Sequence, residues 1–223
     1  MDGPVRLDPA LPFCDPAGFR CLRNDGRRCG TRRAAWKAAA VGRPTILKLG
    51  GVILGDLEIR RLTQADAPMM ADAFAGIGWR KPASQYLRYF DEQEAGQREC
   101  LVAMVSQRFA GYVTVNWFPA HPTLAESGIP EIQDLNVLPE FRRQRIASRL
   151  LDQAEALVAQ RSSVAGIAVG LHPGYNAAQR LYVKRGYVPD GRGVTWHNRY
   201  VEEGAQVILD DDFVLHLTKR LVE

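Results

Sequence analysis

The sequence has no apolar run approaching the ~20 residues that a membrane-spanning helix needs. Its longest candidate, residues 45–55, is short and carries Lys48, so a helical integral membrane protein is excluded. Cysteine is scarce: four in 223 residues, three of them (Cys14, Cys21, Cys29) close together and only Cys100 beyond. Six and seven residues separate the first three, with no histidine nearby, which matches no zinc-ligand spacing. No metal site is therefore expected. Four cysteines so placed also do not make a secreted disulfide scaffold, and reduced thiols are expected. There is no internal repeat and no low-complexity segment. What is present, 46% hydrophobic and 24% charged residues, is globular composition and excludes collagenous or wholly disordered chains. The length suits one domain with an appendage.

The net charge of +4 and the pI near 9.0 suggest a nucleic-acid binder until the charge is located. Residues 1–50 hold ten basic side chains against four acidic, and the other 173 hold 19 against 21. The basic excess thus sits in a segment with five prolines, no glutamate, no serine and no amphipathic period. Residues 1–54 read as a basic, disordered extension and residues 55–223 as the folded domain. A chain start nearer Val52 or Leu54 is the other reading. Thr31 to Lys37 faintly resembles a twin-arginine export signal, but Arg43, Pro44 and Lys48 interrupt the apolar stretch that must follow it. A cytoplasmic protein that binds neither membrane nor nucleic acid is the expectation.

Within the domain, 57–62 reads as a strand. Thr63 is then the N-cap of a helix to Phe74, with Asp66 in the capping-box position. Gly76, Gly78 and Pro82 separate it from a second helix over 83–94. Two alternating runs, 99–105 and 111–118, form a hairpin. Residues 121–130 are loop, and 131–138 is a strand stopped by Pro139. The longest helix spans 142–160, with Ile146, Leu150, Ala154 and Leu157 on one stripe. A small-residue strand at 164–171 precedes a helix over 176–185, capped by Gly186. Strands at 187–188 and 212–218 enclose a polar excursion, 189–212, that suits a lid, a hairpin or a dimer arm. The order is that of a mixed, mostly antiparallel sheet with helices on its faces, an α/β (α+β) fold.

Chemistry concentrates between Glu131 and Gly191. The strand Asp134-Leu135-Asn136-Val137 leads into Arg142-Arg143-Gln144-Arg145-Ile146-Ala147 at the start of the long helix. Unpaired N–H groups and the dipole at such a start attract anions, and guanidinium groups bind phosphate by paired hydrogen bonds. On these residues alone, a solvated basic helix start stays equally open. So does a purely packing role for Tyr182, which shares a helix face with Ala178, Leu181 and Arg185.

This arrangement, strand–R-x-x-x-x-A–long helix followed by Asn176-x-x-Ala-x-x-Leu181-Tyr182-x-x-x-Gly186-Tyr187, resembles the GNAT superfamily of N-acetyltransferases over residues 57–220. The resemblance implies a central sheet with about four helices and a cofactor cleft splayed between the fourth and fifth strands. It implies an enzyme that moves the acetyl group of acetyl-CoA directly to a primary amine of a small molecule or peptide. A non-catalytic acyl-CoA-binding module is the alternative, and a homodimer is compatible.

By the same resemblance, the pyrophosphate loop is Arg142, Arg143, Gln144, Arg145, Ile146 and Ala147, with Ser148 just inside the helix. The backbone of Leu135, Asn136 and Val137 pairs with the pantetheine arm. Tyr182 is the general acid for the CoA thiolate, since a phenol stays protonated at neutral pH. Asn176 caps its helix or contacts the cofactor. Arg145 departs from the family pattern, which has glycine there. It is tolerated if its dihedrals are helical and its side chain points outwards.

The general base is Asp134 or Glu131, with Asp134 slightly preferred. Strict alternation places Asp134 opposite Leu135 and Val137, and a bulge would change that. Trp79, Tyr86, Tyr89, Trp117 and Phe118 are candidates for the acceptor pocket as well as for the core. His121 and His172 are outside candidates for the base, and as loop residues they read as solvent-exposed.

Overall fold

The computed structural model describes residues 57–221. The basic extension, Cys14, Cys21, Cys29 and the twin-arginine-like segment lie outside the described residues. The chain opens with strand β1 (Leu57–Arg61) and two helices, α1 (Asp66–Ala75) and α2 (Ala83–Glu94). The hairpin β2 (Arg98–Val105) and β3 (Arg108–Asn116) follows. Its two-residue turn, Ser106 and Gln107, has φ of 48° and 64°, the doubly left-handed turn that matches the twist of the flanking strands. Next come α3 (Pro122–Glu126), β4 (Glu131–Val137), a 3₁₀ turn at Pro139–Phe141, α4 (Ile146–Ala159) and β5 (Val164–Gly170). Helix α5 (Asn176–Lys184), β6 (Val188–Trp196), β7 (Arg199–Tyr200) and β8 (Phe213–Arg220) complete the domain.

The eight strands form one sheet in the order β1-β2-β3-β4-β5-β8-β6-β7. Every neighbouring pair is antiparallel except β4–β5. That parallel pair registers only at Glu131 with Gly166 and Ile132 with Ile167, after which the strands diverge. The expected cleft between the fourth and fifth strands is therefore present, and the fold is the mixed, mostly antiparallel α/β architecture of the sequence reading.

Packing explains where the patterns mislead. Helices α1, α2 and α4 contact β2 and β3, whose side chains are buried along almost their whole length, so the alternating, half-solvated hairpin is a strand pair covered on both faces. An aromatic cluster anchors this core. The Phe74 ring lies 5.8 Å from those of Phe109 and Tyr112, and Tyr86 lies 5.5 Å from Tyr112. From α4, Leu150, Leu151, Ala154 and Val158 are buried.

Several boundaries differ from expectation. Regular helix α1 begins at Asp66, after a turn at residues 64 and 65, and the expected capping-box contact at Thr63 forms, with the Asp66 carboxylate turned back. That carboxylate accepts from the Thr63 N–H at 2.8 Å and hydroxyl at 2.7 Å, and from both Arg60 Nη atoms at 2.7 Å. Helix α4 begins at Ile146 rather than Arg142, because Arg143 and Arg145 have φ of 63° and 61° and interrupt helical dihedrals. The 121–130 loop contains α3, started by Pro122 at a position where proline's missing N–H costs nothing. That makes five helices among the described residues instead of about four. The excursion after Tyr187 is a hairpin, β6 and β7, turning at His197 and Asn198 with φ of 49° and 60°.

Candidate active site

The site is a gap in the sheet. A cleft of about 1540 Å³ opens where β4 and β5 part, bounded by the 142–148 loop, α5 and the connection between α1 and α2. From Gln133 onward β4 has no strand partner on the β5 side, so that edge offers unpaired backbone groups to an extended ligand.

A bulge shapes that edge. Thr114 pairs with Gln133 and Tyr112 with Asn136, so Asp134 and Leu135 together oppose Val113. Asp134 carries the left-handed φ of 52°; Asp tolerates this better than most residues. The bulge depends on Gly111, where a Cβ would stand 2.3 Å from the Asn136 carbonyl oxygen. Strict alternation is thus broken at Asp134.

The basic loop is a backbone cradle. Left-handed residues at Arg143 and Arg145, alternating with others, turn successive N–H groups to one side, as in an anion nest. The first helical hydrogen bond, Arg149 N–H to the Arg145 carbonyl at 3.0 Å, leaves the N–H groups of α4's opening turn unsatisfied. Arg145 is not helical, contrary to the expectation that would have accommodated it. It has the backbone conformation most accessible to glycine, so an arginine there keeps the loop geometry at a strain cost of about 1 kcal/mol.

The Arg142 Nε donates to the Val137 carbonyl at 3.2 Å, and its guanidinium stands 5.9 Å from the Trp79 ring. Arg142, Arg143, Arg145, Ile146, Ala147 and Ser148 line the cleft. Gln144 does not. Its amide folds back on the Glu140 carbonyl at 3.2 Å.

Across the gap, α5 presents Tyr182 and Asn176. Tyr182 is 6% exposed and burial pushes its phenol pKa up, with a smaller contribution from Tyr175. Among the described residues nothing hydrogen-bonds its hydroxyl, which faces the cleft as a neutral donor. Asn176 is the first helical residue. Tyr175 holds the N-cap position and no side chain caps the helix, so of the two roles expected for Asn176 the cleft-lining one remains. Arg185 holds α5 in place by pairing with Glu155 and Asp152 of α4 at 2.9 Å. Lys219 of β8 joins Glu155 at 2.7 Å.

The two carboxylates share the cleft in different settings. Asp134 accepts from the Tyr89 hydroxyl at 2.6 Å, the Tyr112 hydroxyl at 3.2 Å and the Gln85 amide at 3.1 Å, and pairs with the Lys81 ammonium at 3.4 Å. Glu131 is buried, and burial pushes its carboxyl up to about 7 against a hydrogen bond from Gln133 at 2.6 Å. His216 Nε2 stands 3.7 Å away. Burial holds that imidazole down to about 4, so near neutral pH His216 is the uncharged member of the contact.

Other expected residues sort themselves. Trp79 and Tyr89 line the cleft. Tyr86 is core, Trp117 lies under the Arg161 guanidinium at 4.1 Å, and Phe118 is 72% exposed. His121 is not a solvent-exposed loop histidine. It is fully buried, stacked at 3.7 Å on His216. His172 is partly buried, receiving the Gly174 N–H at Nδ1 and contacting Asp211 at 2.9 Å through Nε2. Sequence reasoning missed Lys81, Gln85, Gln133 and His216. They converge on the cleft from α2 and the segment before it, β4 and β8, and no local pattern marks them.

A split sheet with a bulged free edge, a backbone anion cradle and a phenol across the gap defines a protein that binds an extended anionic cofactor and acts at its far end. Residues 58–187 match the Acetyltransferase (GNAT) family. The chain belongs to the GNAT family of acetyltransferases, with acetyl-CoA as the cofactor. No curated protein matches the sequence. Among solved structures, an N-acetyltransferase from Staphylococcus aureus Mu50 is 14% identical, covering 75% of this chain and 100% of its own at a TM-score of 0.57. The Salmonella typhimurium protein yncA, solved with its cofactor acetyl-CoA, is 13% identical, with coverage of 75% and 95% and a TM-score of 0.56. A chimera of the Vibrio cholerae spermidine N-acetyltransferase SpeG with hSSAT is 15% identical, with coverage of 74% and 95% and a TM-score of 0.53. At these identities the likeness is one of fold.

The residues present fit the cofactor. The free β4 edge suits an amide-bearing arm, and the 142–148 cradle suits a pyrophosphate. No helix among the described residues is long and apolar enough to cross a membrane.

Proposed function

We propose that this protein is an N-acetyltransferase that passes the acetyl group of acetyl-CoA directly to a primary amine of a small molecule or peptide. The observation that carries this reading is one cleft holding the Tyr182 hydroxyl, the bulged β4 edge and the Asp134 carboxylate together.

The backbone of Leu135, Asn136 and Val137 holds the pantetheine arm. The N–H groups from Arg143 to Ser148 take the pyrophosphate, with the guanidinium groups of Arg142, Arg143 and Arg145 adding charge, and Asn176 borders the cofactor. Bound acetyl-CoA supplies an activated thioester. Asp134 takes a proton from the incoming ammonium at its carboxylate. Glu131, titrating near neutrality, passes protons onward through water, since a group with a pKa near the working pH exchanges them most readily. Tyr182 gives its hydroxyl proton to the departing thiolate; burial keeps the phenol protonated at neutral pH, so the proton is in place to be given. Positioning and electrostatics, rather than a covalent enzyme intermediate, supply the rate.

An acetyl-CoA-binding module without catalysis is the rival. Thermal unfolding with acetyl-CoA, followed by CoA-thiol release across a panel of amines, tests both. Acetyl-CoA at a hundred times its Kd is expected to add ~2.7 kcal/mol of stability, and at least one amine is expected to release thiol. Stabilisation with no thiol release from any amine would favour the module.

A further inference from the structure

An ammonium already stands in the cleft, and it belongs to the protein. Lys81 lies just before α2, and its side chain is only 18% exposed. Its Nζ is 3.1 Å from the Tyr112 hydroxyl and 3.4 Å from Asp134 Oδ1, and it lies 5.8 and 5.6 Å from the centroids of the Phe74 and Tyr112 rings. Carboxylate, phenol and aromatic faces are what a primary ammonium needs when it leaves water. The carboxylate is that of Asp134, the bulge residue on the free edge of β4. A lysine on a flexible four-carbon stem therefore reaches the part of the cleft where the proposed chemistry takes place.

We propose that Lys81 is an acetylation site of the protein itself, modified within the same molecule by acetyl-CoA bound in this cleft. The inference rests on the acetyltransferase reading above. Asp134 Oδ1 takes one proton from the Lys81 ammonium, and the freed Nζ lone pair forms the N–C bond to the acetyl carbonyl carbon. The C–S bond of the thioester breaks, the nitrogen gives up a second proton to solvent, the CoA sulfur takes one from Tyr182, and the proton held by Asp134 returns to Tyr182 through solvent. The products are N-acetyl-Lys81, CoA thiol and one net proton. The modification removes the cation that balances Asp134 and leaves the bulge carboxylate for an external amine.

Exposure separates this from random acylation. The chain has five lysines, of which Lys81, Lys184 and Lys219 are described. Lys184 also borders the cleft but is exposed on α5, while Lys81 is mostly buried against Asp134. Chemical acetylation follows accessibility and would label Lys184 first. Reaction beside the Asp134 carboxylate, where proximity replaces collision, labels Lys81 first.

The test is to incubate the full chain with acetyl-CoA and no amine, and to follow acetylation of each lysine by peptide mass spectrometry. Lys81 is expected to be modified at least ~10-fold faster than Lys184. The first-order rate should not change with protein concentration, and an added amine acceptor should slow it. Lys81→Arg keeps the cation and should abolish that label while leaving labelling of Lys184 as it was. Acetyl-CoA stabilisation and amine turnover with Lys81 unlabelled, or labelled no faster than Lys184, overturns this inference alone. A Lys81 rate proportional to protein concentration also overturns it, as transfer between molecules. No stabilisation by acetyl-CoA overturns the proposed function and this inference with it.

Discussion

The Tyr89 hydroxyl donates to the Asp134 carboxylate at 2.6 Å across 45 residues of sequence, tying helix α2 to the bulge of β4. That bond joins a helix bordering the cleft to the strand whose unpaired edge opens onto it. Tyr112, Gln85 and Lys81 meet the same carboxylate, so its charge organises four side chains from two separate stretches of the chain, 81–89 and β3.

Asp134→Asn removes that charge while keeping a residue that tolerates the left-handed backbone. The fold should persist, and kcat/KM for the best amine should fall by roughly 100-fold or more, the usual worth of a positioned proton acceptor. Steady-state thiol release, with circular dichroism to confirm folding, checks this.

Arg145→Gly relieves a left-handed arginine. Stability should rise by about 1 kcal/mol, read as a higher urea midpoint. Acetyl-CoA affinity should weaken a few-fold through the lost guanidinium, because the backbone already has the conformation glycine would take. A large tightening would show that the arginine obstructs the loop.

Stability against pH separates Glu131 from His216. The folded carboxyl titrates near 7 rather than 4.5, so its contribution is fully present below about pH 4.5 and is lost as pH rises through 7. The folded imidazole titrates near 4 rather than 6.5; its contribution is present above about 6.5 and is lost as pH falls through 4. The two trends oppose each other in the wild type. Glu131→Gln removes the first, so the variant should gain on the wild type by up to about 3 kcal/mol between pH 4.5 and 8. Urea denaturation of both proteins across that range measures the difference, in which other groups cancel. A flat difference would mean that Glu131 is not perturbed.

What the sequence made legible follows from which signals are local. Helix α2 has the boundaries that Pro82 and the apolar spacing indicate. The short β4–β5 pairing gives the implied cleft, and Tyr182 and the 142–148 loop, Gln144 apart, line it because strand-to-helix order alone places them. The start of α4 was not legible, because arginine is a good helix former and only backbone closure at Arg143 and Arg145 reveals the left-handed turns. Nor was the bulge at Asp134, which depends on a missing Cβ at Gly111 in the opposite strand. His121 reads as a loop residue between Ala120 and Pro122, and its burial comes from packing on His216, 95 positions away in the chain. Lys81 and Gln85 meet Asp134 across about fifty residues, a distance that no local pattern encodes.

Tyr182 tests the central claim most directly. Titration calorimetry with acetyl-CoA and thiol release with the best amine should be compared for the wild type and Tyr182→Phe. The account predicts acetyl-CoA affinity within a few-fold of wild type and turnover reduced by roughly 100-fold, the loss expected when a general acid is removed. Undiminished turnover in Tyr182→Phe would contradict the assignment of the general acid, and a wild-type chain that does not bind acetyl-CoA would contradict the function itself.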